Sequence, residues 1–400
     1  MKRKLLQLAA ILCSFAFLYG CSSSNQAPKS TKAESIKNSR VMKISISSNG
    51  KYAVTSNSNG RAYVWNLQDK TYRAVTVKPV NIYSAYFVPN STNIMIQNDK
   101  TNEVYIEDVA GNVLTTFNPG FATYGEAITS DLKTWIASDE KFRLFMRKDD
   151  KQKEILYHWC GPDYKNETKP PKGSYFNCSG AMSGQLQNIT FTPNEKYFTT
   201  TGGGGRLFVW NASTGKSVKI ITKNTGPTAS AISPDGDYAF TTDSNSKSIS
   251  YKFNSEKTQP FFSVLPLFTP TQKKYQWRPN TSINFIDDNQ YLVTYQGVDN
   301  TILYAGLYNT DGIQLKPKGR DYAANFPIKK LPLVKNPNKL GNSEIYPNTG
   351  SFLPVVKTSP STHLLVMAQA NGNGIMVYKY DPGTQTLKLV WAPKAKPSRR

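Results

Sequence analysis

The chain has 400 residues, with 49 Lys or Arg against 27 Asp or Glu, which gives a formal net charge of +22 at pH 7. Tyr, Phe, Thr, Asn and Gly are frequent and long stretches of alternating charge are missing, a mixture that favours strands and turns over long helices. With only two His and four Cys, a multi-histidine metal site is not expected.

The first 21 residues predict an export signal. Three basic residues, Lys2 to Lys4, precede the apolar run 5–19, which is shorter than the about 20 apolar residues that a membrane-spanning helix needs. The run ends in Leu18-Tyr19-Gly20-Cys21, which resembles the lipobox of bacterial lipoproteins. The resemblance implies a signal peptide 1–20, a diacylglyceryl group on Cys21 and a fatty acyl chain (palmitate) on its new amine. The alternative is an ordinary secretory signal with a chance cysteine.

Residues 21–39 are polar and are expected to form a flexible tether. Lipoproteins that stay in the inner membrane carry Asp directly after the lipidated cysteine, whereas this chain has Ser22. The resemblance therefore implies an anchor in the outer membrane, with the body most naturally in the periplasm. Exposure on the cell surface is the alternative.

The positive charge predicts anionic neighbours in that compartment. Anionic lipid, lipopolysaccharide phosphates, peptidoglycan carboxylates and acidic envelope proteins are the candidate partners, and no nucleic acid is expected. The alternative is that dispersed lysines only keep a large sheet surface soluble.

A repeat of about 40 residues runs through the remaining chain. Residues 42–66 and 188–211 share an alternating strand, a tight turn, a strand led by Tyr52 or Tyr197, a Gly turn and a third strand that ends in Val-Trp-Asn. A fourth strand follows, and the frame recurs around residues 89, 131, 234, 287 and 360. Four strands at this period are typical of β-propeller blades. The sequence thus predicts an all-β fold, a seven-bladed β-propeller of four-stranded antiparallel blades over residues 40–392, and a basic disordered tail at 393–400.

The repeats resemble degenerate WD-type repeats. Trp65-Asn66 and Trp210-Asn211 stand where that family carries Trp-Asp, and the turn Pro234-Asp235-Gly236 is typical of it. The Gly-His pair that opens many WD repeats is missing, so the family's internal hydrogen-bond tetrad is not expected. Insertions at 158–186, 264–281 and 317–357 are predicted to be surface loops that follow the fourth strand of a blade.

Two cysteines of the mature chain, Cys160 and Cys178, bracket a loop rich in Pro, Lys and Gly. In an oxidising compartment they are predicted to form a disulfide, and a metal-binding pair is the alternative.

Catalytic patterns are sparse, so we expect no enzyme and no cofactor. His158 and His363 fall in different repeats, and the pairs Asp149-Asp150 and Asp287-Asp288 fall in predicted turns. Candidate partner contacts are the anchor-type residues Tyr275, Trp277 and Arg278 in an insertion, and the basic residues Lys394, Lys396, Arg399 and Arg400 of the tail.

The function that fits best is a membrane-anchored, non-catalytic interaction scaffold in a bacterial envelope complex, such as a secretion or outer-membrane assembly machine. The alternatives are a propeller enzyme or small-ligand sensor that uses the central channel, and a surface adhesin.

Overall fold

Strands make up nearly all of the regular structure of this protein. A computed structural model describes residues 39–76, 82–98, 100–139, 143–157, 175–176, 186–202, 206–220, 227–243, 247–255, 257–263, 282–287, 290–296, 302–309, 329–335, 355–368 and 374–393. All of them belong to one compact unit, Ser35–Arg400. Within these ranges we find no helix that is both long enough and apolar enough to cross a membrane.

The described residues form seven sheets, here numbered sheet 1 to sheet 7 in chain order. Sheets 1 and 2 contain β1 (Val41–Ile46), β2 (Tyr52–Asn57), β3 (Ala62–Asn66), β4 (Thr71–Ala74), and β5 (Ile82–Phe87), β6 (Ile94–Asn98), β7 (Val104–Glu107), β8 (Val113–Phe117). Sheet 3 contains β9 (Thr123–Ile128), β10 (Thr134–Asp139), β11 (Leu144–Lys148), β12 (Lys151–Tyr157) and β13 (Tyr175–Phe176).

The later sheets follow the same pattern. Sheets 4 and 5 contain β14 (Leu186–Phe191), β15 (Tyr197–Gly202), β16 (Arg206–Asn211), β17 (Ser217–Ile220), and β18 (Pro227–Ile232), β19 (Tyr238–Asp243), β20 (Lys247–Lys252), β21 (Lys257–Ser263). Sheets 6 and 7 contain β22 (Ser282–Phe285), β23 (Gln290–Gln296), β24 (Ile302–Asn309), β25 (Lys329–Lys335), and β26 (Val356–Ser359), β27 (Leu364–Ala368), β28 (Ile375–Asp381), β29 (Thr386–Trp391).

Six of these sheets are four-stranded antiparallel blades whose strands lie side by side in chain order. The structure thus has six blades of the predicted form rather than seven, because sheet 3 has a fifth strand. In that sheet β13 runs parallel to β12 and pairs Tyr175 with Leu156 and Phe176 with Tyr157. The insertion 158–186 was predicted to be a loop, but two of its aromatic residues extend the sheet at the open edge of β12. An edge strand has unpaired N–H and C=O groups, so it can pair with a further strand.

The insertion 317–357 also contains a strand that the sequence did not predict. Strand β25 lies inside it and completes sheet 6 by pairing with β24. Its Pro332 obscures the strand pattern, since proline within a run argues against a central strand. Proline is tolerated here because β25 is the last strand of its sheet.

Both faces of the sheets are buried, as the sequence predicts for Leu207 to Trp210. These four side chains are at most 3% exposed. Phe208 and Trp210 pack with residues of sheet 3, whereas Leu207 and Val209 pack with residues of sheet 5. Successive side chains of a strand point to opposite faces, so one strand supplies the core on both sides of its sheet.

The same packing joins the last sheet to the first. Val41, Ile44 and Trp65 of sheet 1 share a cluster with Val366 and Val377 of sheet 7. No strand is exchanged, since β1–β4 and β26–β29 each form a complete sheet from consecutive residues. The sheets therefore close into a ring through side chains.

Candidate functional site

Most of the predicted site residues lie outside the residues that the structure describes. They are the lipidation site Cys21, the disulfide pair Cys160 and Cys178, His158, and the candidate partner contacts Tyr275, Trp277, Arg278, Lys394, Lys396, Arg399 and Arg400. Their roles stay predictions.

The described members of the predicted set occupy turns. His363 follows a 3-10 turn, Pro360–Thr362, and its ring meets the Tyr380 ring edge-on at 6.4 Å. Asp149 and Asp150 form the turn between β11 and β12, and the Asp150 carboxylate lies 2.6 Å from the Arg147 guanidinium. Across the described ranges no three His, Cys, Asp or Glu side chains cluster as metal ligands.

The first strands of the sheets form the inner wall of the ring. The Phe87 N–H donates to Ser45 Oγ at 3.1 Å, which joins β5 to β1. Ser84 Oγ donates to Glu126 Oε1 at 3.0 Å, which joins β5 to β9. First strands also contact one another between sheets 3 and 4, 4 and 5, 5 and 6, 6 and 7, and 7 and 1. They therefore surround the axis of the ring.

Alternation along these strands decides which side chains face the lumen. In β14 the side chain of Thr190 is exposed, while those of its neighbours Ile189 and Phe191 are buried. In β26 the side chain of Lys357 is exposed and that of Val356 is buried. The first strands are enclosed by one another, so a side chain on them that is exposed to water reaches that water through the channel. Thr190 and Lys357 therefore line the channel.

Four ionisable side chains of the first strands have shifted pKa values, one of which is Tyr86, whose hydroxyl pKa is raised well above its ordinary value by burial. Burial raises the pKa of the Glu126 carboxyl to about 7, against the opposing influence of the Lys43 ammonium and the hydrogen bond from Ser84. Burial lowers the pKa of the Lys43 ammonium, and Glu126 opposes that shift. Burial also lowers the pKa of Lys357, although its side chain is exposed to water. A side chain inside a channel touches water and is also surrounded by protein, which accounts for both properties of Lys357.

At one end of the ring, the turns that join first to second strands are hydrogen-bonded to one another. Asn90 Nδ2, in the turn after β5, donates to the Pro193 carbonyl, in the turn after β14, at 3.3 Å. This hydrogen bond joins sheets 2 and 4, which are separated in the chain by sheet 3. Ser361 Oγ donates to the Ser48 carbonyl at 3.2 Å, and Ser48 Oγ donates to the Ser91 carbonyl at 3.3 Å. These bonds draw the turns of neighbouring sheets together at this end.

A second feature lies at the outer edge of sheet 2. Strand β8 is the last strand of its sheet, and its Val113 and Leu114 are 47% and 50% exposed. Beside it lies a cavity of about 280 Å³ that Phe117, Trp135 and Arg147 help to line. The Arg147 guanidinium carbon stands 4.2 Å from the centre of the Phe117 ring. Most of the other lining residues are polar or charged, among them Lys133, Asp149 and Asp150, so the cavity combines two aromatic rings with charged groups of both signs.

Comparison with known proteins supports the fold. The β-propeller domain of Cps50 (Swd1) from Myceliophteria thermophila is similar with a TM-score of 0.59 and 10% identity, over 86% of this chain and 97% of that chain. Hydrazine synthase from Kuenenia stuttgartiensis is similar with a TM-score of 0.57 and 12% identity, over 87% of this chain and 98% of that chain. The fold is a β-propeller.

The family of WD domains, G-beta repeat, matches residues 31–66 of this propeller, which include its first three strands. No curated protein matches the chain significantly. At these levels of identity the likeness to the two solved structures establishes the fold alone.

Sequence reasoning missed the lysines of the inner wall. The repeats align on the turn after each first strand, at Ser47, Thr192 and Ser359. Two residues before the turn, Lys357 stands where the other two repeats have Ser45 and Thr190. A charged residue at a position that is otherwise small or neutral was the available signal.

Proposed function

We propose that this protein is a lipid-anchored, seven-bladed propeller that serves as a non-catalytic docking scaffold in a bacterial envelope complex. The outer edge of β8 carries this proposal, because two large apolar side chains are exposed there beside the cavity lined by Phe117 and Trp135. Exposed apolar patches of this kind mark interaction sites in soluble domains.

The expected occupant is an extended segment of a partner protein that pairs with β8. Within this chain β13 already pairs with the outermost long strand of sheet 3, so an outer edge of this ring accepts an added strand. Backbone hydrogen bonds then supply affinity, and contacts of the segment's apolar side chains with Val113 and Leu114 supply specificity.

Membrane attachment is part of the same proposal. The basic residues 2–4, the apolar run 5–19 and the sequence Leu18-Tyr19-Gly20-Cys21 support a lipid on Cys21. A diacylglyceryl group with a further acyl chain holds a membrane stably, whereas one chain holds it weakly. Ser22 supports an anchor in the outer membrane, and we propose the periplasm as the location of the propeller body.

The scaffold is tested by gentle solubilisation of the native lipoprotein, purification and identification of the proteins that co-purify. We expect a discrete partner that is lost with Leu114→Lys, which places a charge on the β8 edge. Leu389→Lys is the matched control, because Leu389 is 49% exposed on the outer strand of sheet 7. The scaffold is refuted if the protein runs alone under all mild conditions, and the β8 site is refuted if both variants keep the partner.

The anchor is tested separately with Cys21→Ser. This variant lacks the thiol that accepts the lipid, so we expect it to move from the membrane fraction to the soluble periplasmic fraction. Cys21→Ser that stays in the membrane fraction would contradict lipidation without bearing on the β8 edge.

A further inference from the structure

The fourth strand of sheet 2 differs in charge from the fourth strands of the other described sheets. Strand β8 reads Val113-Leu114-Thr115-Thr116-Phe117 and contains no charged residue. The strands β4, β12, β17, β21, β25 and β29 contain, in that order, Arg73, Lys153, Lys219, Lys257, Lys330 and Lys388. Charged side chains, lysine above all, keep an edge strand from pairing with another chain. The edge of β8 lacks this protection.

The edge of β8 is also open. Among the described strands, β8 pairs with β7 on one side and with none on the other. Val113 to Thr116 are exposed, and Phe117 is half-buried. The register shift between β7 and β8 does not set this edge apart, because every described sheet except sheet 1 has such a shift between its third and fourth strands. The missing charge is therefore the distinguishing feature.

The sequence of β8 is compatible with itself when two copies run antiparallel. The register that pairs all five residues places Thr115 on a two-fold axis, opposite Thr115 of the partner subunit. Val113 then lies opposite Phe117 of the partner subunit. Threonine pairs, and pairs of an aromatic with a β-branched residue, are favourable across strands, and no like charges meet. A second copy of this chain therefore fits the edge.

We propose that β8 pairs antiparallel with β8 of a second copy, which joins the two copies of sheet 2 into one eight-stranded sheet. Such a contact uses the same surface on both subunits, so it closes as a dimer and does not continue into a fibre. The pairing covers the edge while no partner protein occupies it. It does not rest on the docking proposal, because it needs this chain alone, and a partner that docks on β8 has to displace the second copy.

The area of this contact predicts a weak dimer. Stable protein interfaces bury about 1,600 Å² in total, and two paired strands of this length fall short of that area. We therefore expect monomer and dimer to exchange at micromolar concentrations.

Sedimentation of the purified full-length protein in mild detergent, over a series of micromolar concentrations, tests the dimer. Thr115→Lys places two ammonium groups opposite each other at the axis, so we expect the dissociation constant of the dimer to rise at least about tenfold. Thr386→Lys is the matched control, because Thr386 is exposed on the fourth strand of sheet 7 and the change in net charge is the same. An unaltered protein that stays monomeric at every concentration, or equal weakening by both variants, overturns the proposal.

A mixing experiment identifies the contact. Thr115→Glu is expected to weaken the dimer as Thr115→Lys does, because like charges again meet at the axis. In an equal mixture of the two variants, the opposite charges are expected to restore dimers at the concentrations at which each variant alone is monomeric. A mixture that stays monomeric overturns the pairing of β8 with β8.

This outcome is separate from that of the docking proposal. A purified chain that does not dimerise leaves docking at β8 standing, because no partner protein is present in these measurements. Absence of co-purifying proteins, in turn, leaves the dimer standing.

Discussion

A single hydrogen bond fixes the largest buried side chain of sheet 4. Trp210 is fully buried, and its indole N–H donates to Thr200 Oγ1 at 3.0 Å. Sheet 1 repeats the arrangement, with Trp65 donating to Thr55 Oγ1 at 3.1 Å. The tryptophan of the Val-Trp-Asn ending, by which the repeat is recognised, thus has a hydrogen-bond acceptor in a threonine ten positions earlier in both sheets.

Replacing that threonine leaves a buried donor without its acceptor. We expect Thr200→Val to lower the free energy of unfolding by about 1 to 3 kcal/mol, because valine keeps the volume but cannot accept the indole N–H. Urea denaturation measures the change. Thr190→Val is the control, since its side chain is exposed, and we expect it to shift stability by less than about 0.5 kcal/mol. Similar losses in both variants would contradict a specific role for the indole bond.

Glu126 gives the fold a dependence on pH. Its folded-state pKa of about 7 lies above the ordinary value of 4.5, so between these values the folded protein holds a proton that the unfolded chain has released. Stability contributed by the protonated carboxyl is therefore present at low pH and is lost as the pH rises through this window.

We expect Glu126→Gln to remove this loss. Relative to the unaltered protein, the variant is expected to gain about 2 to 3 kcal/mol of stability between pH 5 and pH 8. Denaturation series at several pH values measure the gain. Glu103→Gln is the control, because a hydrogen bond from Tyr105 chiefly lowers the pKa of Glu103, and no such gain is expected. A constant difference between Glu126→Gln and the unaltered protein across this range would contradict the raised pKa.

Between elements, an ion pair ties sheet 1 to sheet 2. The Arg73 guanidinium lies 3.2 Å from Glu107 Oε1, and it also donates to the Val109 carbonyl at 2.9 Å. The Glu107 side chain is fully buried, and its other oxygen accepts the Thr76 N–H at 3.1 Å. A buried carboxylate depends on such donors because it has lost its hydration.

We expect Arg73→Met to destabilise the protein by about 2 to 4 kcal/mol, because it removes the guanidinium from a buried carboxylate. Arg147→Met is the matched control: its partner Asp150 has a 90% exposed side chain, so a loss below about 1 kcal/mol is expected. Thermal and urea unfolding measure both variants. Equal losses would show that burial of Glu107 does not decide the strength of the pair.

Strands were predictable where two-residue alternation was uninterrupted, and this held for the repeats around Tyr52 and Tyr197. Prediction was wrong where a strand forms because of its position at the edge of a sheet rather than because of its own sequence pattern. Strand β13 has only two residues and forms because β12 offers an open edge. Strand β25 contains Pro332, which is tolerable only in an edge strand. The lumen-facing Lys357 was missed because alternation separates the two faces of a strand without telling which of them faces the axis of the ring.

At the scale of the whole ring, closure depends on a close approach between sheets 1 and 7. Gly374 precedes β28 with a φ of 104°, and a Cβ built there would lie 2.4 Å from the Trp65 ring. Neither the positive φ nor the available space suits any other residue. The sequence shows complete repeats at both ends of the propeller, but it does not reveal this contact.

We expect Gly374→Ala to lower stability by about 1 to 3 kcal/mol more than Gly120→Ala, because it adds a clash in a packed interface. Gly120 is the matched control, since its φ is 84° and nothing lies within 4 Å of a Cβ there. The comparison isolates the contact with Trp65 from backbone strain. Equal losses in urea unfolding would place the whole effect in the backbone.

Closure without an exchanged strand has a consequence for the nascent chain. Sheet 1 is complete once Asn66 and the short β4 have emerged, but the face that carries Trp65 waits for its cover until Val366 and Trp391 arrive. At about 5 to 20 residues per second this delay lasts roughly 15 to 65 s. Throughout that interval the apolar face of the first sheet stays uncovered, so this part of the core forms only when the last sheet docks.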